Sequence, residues 1–273
     1  MAGQLADYEI TGTVAEDGTL PCLAARRPGR LGPGGGPVTI WSLGPVARTP
    51  WPAAKARLET AASVRQPGLP DWLESGVGEW SQRPVVWVSA ADQVTATLAS
   101  APADLGVAAR LEALAVAARA AHALHEKGVL HGAICPQAVA LTAGGAAGPP
   151  GAVLAPPGLA DGLRLTVQVG YPPLSYVDPH LLRGDGGRWS DIWALGATLH
   201  YVTTGRPPYA GLDDLPVVQA VSRMLAAGPP SPATQGPASE LVGSCLSTDP
   251  AARPATAAEM ARRLEELAGR WPA

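Results

Sequence analysis

The chain lacks the features that mark membrane-spanning, secreted and nucleic-acid-binding proteins. Its 273 residues contain no phenylalanine, only 16% charged residues and a net charge of −3. Without a basic surplus the surface is poorly suited to a phosphate backbone, so we expect no nucleic-acid partner. No apolar run approaches the ~18 residues of a spanning helix, and the N-terminus shows no basic segment followed by an apolar one. These absences predict a soluble cytoplasmic protein with no membrane span.

Cysteine is also scarce. Cys22, Cys135 and Cys245 are far apart in the sequence, and none belongs to a CxxC pair. An odd, scattered set neither builds a disulfide framework nor has the ligand spacing of a zinc site. His122 and His125 have no third ligand near them in sequence, so we interpret them as helix-end or packing residues. No metal is therefore expected.

Short strand patterns are concentrated in the first third of the chain. Tyr8–Val14 and Thr19–Leu23 flank an Asp-Gly pair, which predicts a β-hairpin. β-branched residues predict further strands over Val38–Leu43 and Val85–Val88. Between these two, Trp51–Val64 has apolar residues near helical spacing. This part of the chain is expected to be mainly β with one helix.

Helical patterns dominate the remainder. Leu111–Glu126 carries one apolar stripe and is followed by Gly128, which is placed to end the helix. A second helix is predicted from Ser190 to about Thr204. A third begins with the capping box Thr256–Glu259, and its apolar stripe of Met260, Leu264 and Leu267 should pack into the body of the protein.

Four segments with a characteristic order and spacing run through the helical part. The first is Leu130-His131-Gly132-Ala133-Ile134-Cys135-Pro136-Gln137-Ala138, followed by an apolar strand pattern. The second is Tyr176-Val177-Asp178-Pro179-His180. The third is Ser190-Asp191-Ile192-Trp193-Ala194-Leu195-Gly196, and the fourth is Asp249-Pro250-Ala251-Ala252-Arg253-Pro254. One short motif is weak support, but several in the right order are rarely a coincidence.

These segments resemble the catalytic loop, the end of the activation segment, the helix that follows it and a late arginine motif of protein kinases. On them the chain is identified as a member of the protein kinase-like family, similar to degenerate eukaryotic-type Ser/Thr kinases of bacteria with GC-rich genomes. The resemblance implies an α+β, bilobal fold. It consists of a small, mainly β N-lobe over residues 1–91 and a larger, mainly α C-lobe over residues 92–273, which together form one domain.

The resemblance assigns architectural roles to four residues, His131, Asp191, Gly196 and Arg253. The family's counterpart of Asp191 accepts hydrogen bonds from the backbone of the catalytic loop. The family's counterpart of Arg253 pairs with a glutamate whose position is held here by His180. Because a buried arginine without a carboxylate is costly, we expect Asp178, another carboxylate or water to compensate.

The same register implies that the residues of the chemistry have been replaced. Trp41 stands at the strand lysine, Ala133 at the catalytic aspartate and Cys135 at a catalytic-loop lysine. Ala138 stands at the metal-binding asparagine, and Pro156 stands at the metal-binding aspartate. Phosphoryl transfer depends on such groups for positioning and charge stabilisation. We therefore expect no catalytic residue, no metal and no cofactor.

The nucleotide-contacting segments are also altered or neutral. Ala15, Asp17 and Gly18 form a vestigial glycine-rich loop, in which Asp17 would bring negative charge near phosphates. The hinge is expected at Ser89, Ala90 and Ala91. It binds adenine in the family through backbone groups, which any residue supplies, so its sequence neither supports nor excludes a nucleotide.

The helix over Trp51–Val64 corresponds to the regulatory helix of the small lobe. Spacing from the following Pro67 places Arg57 where the family has a glutamate that pairs with the strand lysine. Glu59 is the nearest acid. Since no lysine stands at position 41, both Arg57 and Glu59 are expected on a solvated face.

Together these losses imply a catalytically inactive pseudokinase. It would act as a regulatory or scaffolding protein-interaction module and would not bind Mg-ATP. Its partners would be proteins, such as a phosphothreonine-binding domain or an active kinase. The candidate phosphate acceptors are Thr166, Thr203, Thr204 and Thr256.

Two alternatives stay open. The first is an atypical ATP-dependent Ser/Thr kinase, with Asp161 as a metal ligand and a cation recruited from Arg26, Arg27 or Lys55. The second is a small-molecule sensor whose apolar interlobe cleft is lined by Trp41, Trp87 and Cys135. A dry apolar pocket between the lobes would favour the sensor, whereas a cleft filled by Trp41 would favour a scaffold.

Overall fold

The computed structural model describes residues 3–15, 22–29, 35–45, 51–143, 151–158, 172–212, 214–227, 230 and 236–272. The protein has a bilobal α+β architecture, with a β-rich N-terminal region and a helical C-terminal region. Asp17 and Gly18 of the vestigial loop, Asp161 and Thr166 lie outside the described residues.

One antiparallel sheet forms the N-terminal region, in the spatial order β1-β2-β3-β4-β6-β5. The predicted strands near residues 8, 23, 40 and 86 are confirmed, whereas β1 and β5 were not predicted. The strands are β1 (Gly3–Leu5), β2 (Tyr8–Ala15), β3 (Cys22–Arg26), β4 (Pro37–Pro45), β5 (Trp72–Trp80) and β6 (Arg83–Ala90).

The sheet buries apolar side chains on both of its faces, as strand alternation allows. Trp41 in β4, paired with Val88, belongs to the large core shared with the helices. Ile40 and Trp87 belong to a smaller core on the other face, where Trp87 meets Tyr8 edge to face with ring centroids 5.5 Å apart. The large core reaches from this sheet to the helical region, so it joins the two parts of the molecule.

One helix and a second, smaller sheet accompany the first sheet. Helix α1 (Trp51–Ala62) confirms the predicted helix and buries Ala54, Leu58 and Ala61. The second sheet has the order β7-β8-β9 and is antiparallel. Its strands are β7 (Val94–Thr97), β8 (Val139–Thr142) and β9 (Gly151–Leu154).

The helical region packs around two long helices, α2 and α3. Gly196 allows α3 to approach α5 closely, because a Cβ at this position would lie 2.2 Å from the Cβ of Cys245. Gly205, at φ 71°, ends α3. The helices are α2 (Val107–Glu126), α3 (Arg188–Thr204), α4 (Val217–Ala227), α5 (Ser239–Cys245) and α6 (Ala257–Ala268).

The last helix forms one half of the predicted capping box at Thr256, while the Glu259 side chain bonds the residue before the cap instead of the cap itself. The Thr256 hydroxyl accepts a hydrogen bond from the Glu259 N–H at 3.1 Å, and a Glu259 carboxylate oxygen accepts one from the Ala255 N–H at 3.0 Å. Its apolar stripe is buried, as expected, at Met260, Leu264 and Leu267. Within the described ranges, no helix combines the length and apolar content that crossing a bilayer requires.

Candidate functional site

The segment between α2 and β8 is fixed by a carboxylate from α3. Asp191 is buried, and its Oδ2 accepts hydrogen bonds from the His131 N–H at 2.8 Å and from His125 Nε2 at 2.7 Å. Its Oδ1 accepts from the Gly132 N–H at 2.8 Å. One side chain thus joins α2, α3 and the loop, through the backbone contacts that the sequence resemblance implied.

The Asp191 carboxyl is held in its ionised form. Burial by itself raises its pKa, but the hydrogen bond and charge of His125, the charge of His131 and the Gly132 N–H outweigh that effect and lower the pKa overall. The first turn of α3 also favours a negative charge. His125 is therefore a packing residue bonded to Asp191. Among the described residues, no group of three His, Cys, Asp or Glu is placed to hold a metal ion.

His131 connects this loop to the segment after β9. Its Nε2 lies 2.8 Å from the Ala155 carbonyl, and its Nδ1 accepts from the Ala133 N–H at 3.2 Å. Because a carbonyl accepts and an amide donates, these partners fix the neutral tautomer with the proton on Nε2. Burial lowers the pKa of His131, although the charge of Asp191 acts in the opposite direction.

The lowered pKa of His131 predicts a stability that falls in mild acid. Below about pH 6.5, His131 becomes protonated in the unfolded state but stays neutral in the folded state. Its contribution to stability is therefore complete above this pH and is lost as the pH falls towards the lower pKa of the folded state. The folding constant should drop by up to about tenfold per pH unit. Urea unfolding between about pH 7.5 and 5 measures the slope. His131→Gln should flatten it, and an unchanged slope in this variant would contradict the assignment.

The five positions to which the sequence resemblance assigns kinase chemistry lie in buried surroundings. Trp41 packs in the large core, and Ala133 and Ala138 are buried in the loop. Pro156 and the thiol of Cys135 are buried as well. Four of these five side chains have no ionisable group, and the fifth is the thiol of Cys135.

Neither lysine of the chain is buried beside Trp41, the residue that the resemblance aligns with the strand lysine. The chain has two lysines. Lys127 follows α2, and Lys55 lies on the solvent side of α1, where its ammonium is 3.6 Å from Glu59 and its side chain is 54% exposed. Arg26, another cation considered for this role, is exposed at the end of β3.

Arg57 corrects one of the sequence-based expectations. Glu59 is exposed as predicted, but Arg57 is half-buried and turns away from solvent. Its Nε donates to the Gly158 carbonyl at 2.8 Å, and its Nη2 donates to the Leu130 carbonyl. Burial lowers the pKa of Arg57, and the nearby charge of Asp191 raises it. The expectation was wrong because it treated this position only as a partner for a lysine.

The hinge residues use their polar groups within the protein. Ala90 pairs with β4 on one side and β5 on the other. The Ser89 hydroxyl lies 2.8 Å from the Tyr8 hydroxyl. The Ala91 N–H donates to the Asp71 carbonyl at 2.9 Å. This last amide is consequently not available to a nucleotide base unless the Asp71 bond is broken.

Arg253, the arginine of the fourth motif, forms an ion pair with a carboxylate. Arg253 Nη1 donates to Asp178 Oδ2 at 2.6 Å and Nη2 to Oδ1 at 3.3 Å, and both side chains are buried. Arg253 also donates to the main-chain carbonyls of Ser247 and Trp189. The His180 ring bonds a different main-chain carbonyl at 2.8 Å. The expectation that Asp178 compensates for the missing glutamate is confirmed.

The residues proposed for a sensor cleft do not come together. Trp41 and Cys135 share the large core, whereas Trp87 lies in the core on the opposite face of the first sheet. The prediction of an apolar cleft lined by all three residues is therefore wrong. The cause is strand alternation: β4 pairs Trp41 with Val88, which turns the adjacent Trp87 away.

Three of the threonines considered as phosphate acceptors are described. The hydroxyls of Thr203 and Thr204 donate to carbonyls within α3. Thr256 is exposed and caps α6. Of these three, Thr256 is the most accessible, although a modification there would disturb the cap.

The bilobal fold and this loop geometry are those of a protein kinase domain. The family model described as protein tyrosine and serine/threonine kinase matches residues 85–264. Because this match covers well over half of the chain, the chain belongs to the protein kinase family.

Two relatives illustrate the similarity. The crystal structure of the Mycobacterium tuberculosis PknI kinase domain matches with a TM-score of 0.64 over 97% of this chain and 98% of that one, at 20% identity. Mitogen-activated protein kinase kinase kinase 19 of Mus musculus is 35% identical over 81 residues, which is 29% of this chain and 6% of that protein. The first likeness concerns the fold, and the second is confined to a small part of a much longer protein.

Proposed function

We propose that this protein is a pseudokinase, a catalytically inactive member of the family that serves as a regulatory or scaffolding module for protein partners. The observation that supports the proposal is that four residues which the resemblance aligns with charged or metal-binding positions are buried, uncharged side chains: Trp41, Ala133, Ala138 and Pro156.

The replaced groups are the ones on which the reaction depends. ATP brings several negative charges into the cleft, and phosphoryl transfer relies on positioning and electrostatic stabilisation of those charges. Losing one contributor of this kind typically slows a reaction by about 10² to 10³. Several losses at one site are not additive, yet they act on the same step, so little activity above background is expected.

The residues around the cleft also support the proposal that the protein does not bind Mg-ATP. The indole of Trp41 takes the space of a lysine side chain and belongs to the core. Arg57, a cation that contacts the loop described above, already donates to two main-chain carbonyls. The hinge amide of Ala91 is bonded to Asp71. A nucleotide would have to compete with each of these contacts.

The architecture that remains suits a binding module. The bonds of Asp191 and the ion pair of Arg253 hold the C-terminal region in a defined shape without substrate. We infer that its partners are proteins, such as an active kinase or a phosphothreonine-binding domain. Phosphorylation by a kinase from the same cell, followed by capture with such a domain, tests this part, and an unmodified chain that captures nothing would remove it.

Thermal unfolding with and without millimolar ATP and Mg²⁺ tests the nucleotide part. A ligand at about 100 times its Kd stabilises by about 2.7 kcal/mol, which for a domain of this size raises Tm by roughly 5 to 10 °C. We expect no such rise. An active kinase measured in parallel is the positive control. A rise that requires Mg²⁺ would reveal a metal-nucleotide site and contradict the proposal, whereas a rise without Mg²⁺ would contradict only the absence of nucleotide binding.

A further inference from the structure

Arg57 links the N-terminal region to the helical region. It lies in α1, but its two acceptors belong to loops from later parts of the chain: Leu130 is the first residue of the catalytic-loop segment, and Gly158 follows β9. We propose that Arg57 is a latch that fixes α1 against both loops, so that the protein holds one cleft conformation without nucleotide, metal or phosphorylation.

The chemistry of the guanidinium suits this role. It is a planar fork with five N–H donors and a permanent positive charge. One end of the fork meets the Gly158 carbonyl through Nε and the other meets the Leu130 carbonyl through Nη2. Hydrogen bonds from a charged donor are stronger than neutral ones. A lysine has a single ammonium group at the tip of its side chain and is less well shaped to span both carbonyls.

The contacts of Arg57 continue into the rest of the site. The Gly158 N–H donates to the His131 carbonyl at 2.9 Å, so Gly158 is held through both its N–H and its carbonyl. The His131 N–H in turn donates to Asp191. A continuous set of hydrogen bonds therefore runs from α1 through the two loops to α3.

Other charged residues of α1 do not share this arrangement. Lys55 and Glu59 pair with each other across one turn, with side chains 54% and 64% exposed. Such exposed pairs contribute little to stability. The link to the two loops therefore depends on Arg57 in particular rather than on the general charge of α1. The inference goes beyond the proposed function and does not rest on it, since the contacts are the same whether or not the protein catalyses a reaction.

Amide hydrogen exchange measured by mass spectrometry on the full chain tests the latch. In Arg57→Ala, the Gly158 amide and the amides of α1 should exchange about tenfold to a hundredfold faster, the factor that corresponds to a hydrogen bond with a charged group. Arg57→Lys keeps the charge without the fork and should also exchange faster. Lys55→Ala removes a positive charge two positions away on the same helix and should leave these rates unchanged.

The distribution of the change decides the outcome. The amides of α3 and α6 should keep the parental rates in both Arg57 variants, because their hydrogen bonds do not involve the latch. Parental rates at Gly158 and in α1 would overturn the proposal. A uniform acceleration over the whole chain would overturn it as well, because it would mean global destabilisation. If Arg57→Ala does not fold, the same criteria apply to Arg57→Lys. Neither outcome depends on whether ATP changes Tm.

Discussion

Replacing Asp191 with alanine should lower the free energy of unfolding by about 3 to 5 kcal/mol, because three hydrogen-bond donors lose the buried carboxylate that accepts from them. The variant leaves His125 Nε2 and the amides of His131 and Gly132 without their acceptor. Each buried donor without an acceptor costs about 1 to 3 kcal/mol. Urea unfolding monitored by tryptophan fluorescence measures the loss.

Two further variants sharpen this experiment. Asp191→Asn keeps one acceptor oxygen but places an NH₂ group against a backbone donor, so it should lose less than Asp191→Ala and still be clearly destabilised. Glu126→Ala removes an exposed carboxylate that lies next to His125 in the sequence. This carboxylate pairs with Arg188 at 3.3 Å. The variant should change stability by less than about 1 kcal/mol. A loss as small as this in Asp191→Ala would contradict the role assigned to the carboxylate.

The stability of the Asp191 variants at acid pH supplies an independent check. The pKa of Asp191 is lower in the folded state than in the unfolded one. Its contribution is therefore complete above the unfolded value near pH 3.9 and is lost as pH falls through the lower, folded value. The difference between the parent and Asp191→Ala should accordingly shrink in strongly acidic solution. A difference that stays constant to the lowest pH at which the parent folds would mean that the ionised carboxylate is not its source.

The frame of this site could be predicted because its contacts are made by motif residues with backbone groups. The spacing of the third motif placed Asp191, and the amides that it accepts from belong to His131 and Gly132, whose identities matter little. The same sequence reasoning missed His125 as a partner of Asp191. The two are 66 residues apart, and nothing in a single helix pattern indicates which side chain will meet a distant one.

Arg57 was beyond sequence reasoning for a related reason. Its position on α1 could be read from spacing, but its acceptors are main-chain carbonyls, which every residue has and no sequence pattern marks. The neighbouring Glu59 was placed correctly on the solvent side. The prediction for Glu59 is confirmed because this side chain faces solvent, whereas the prediction for Arg57 is wrong because this side chain contacts loops from distant parts of the chain.

Strand β5 shows how tertiary packing overrides local propensity. Its glycines at positions 76 and 78 lower strand propensity, and the segment was not predicted. In the folded protein these glycines face Trp87 of β6, and a Cβ added at either position would come within 3.2 Å of the indole. The feature that weakens the local signal is the one that lets the two strands pair around a large side chain.

Asp178→Ala is expected to destabilise the protein by about 3 to 5 kcal/mol, because it leaves the Arg253 guanidinium buried without a carboxylate. The carbonyls of Ser247 and Trp189 still accept from Arg253 but cannot neutralise its charge. Urea unfolding gives the value. Glu266→Ala is the matched control, since its partners Arg262 and Arg270 are 61% and 74% exposed, and it should cost under about 1 kcal/mol.

The double variant Asp178→Ala/Arg253→Met separates the cost of an orphaned charge from the loss of an attraction. When both members of a buried pair are replaced by apolar side chains, much of the stability usually returns. We therefore expect the double variant to be more stable than Asp178→Ala by about 2 kcal/mol or more. If the two changes instead add, the interaction between these side chains is small and water must reach Arg253. The recovery would identify Asp178 as the carboxylate that neutralises the buried Arg253.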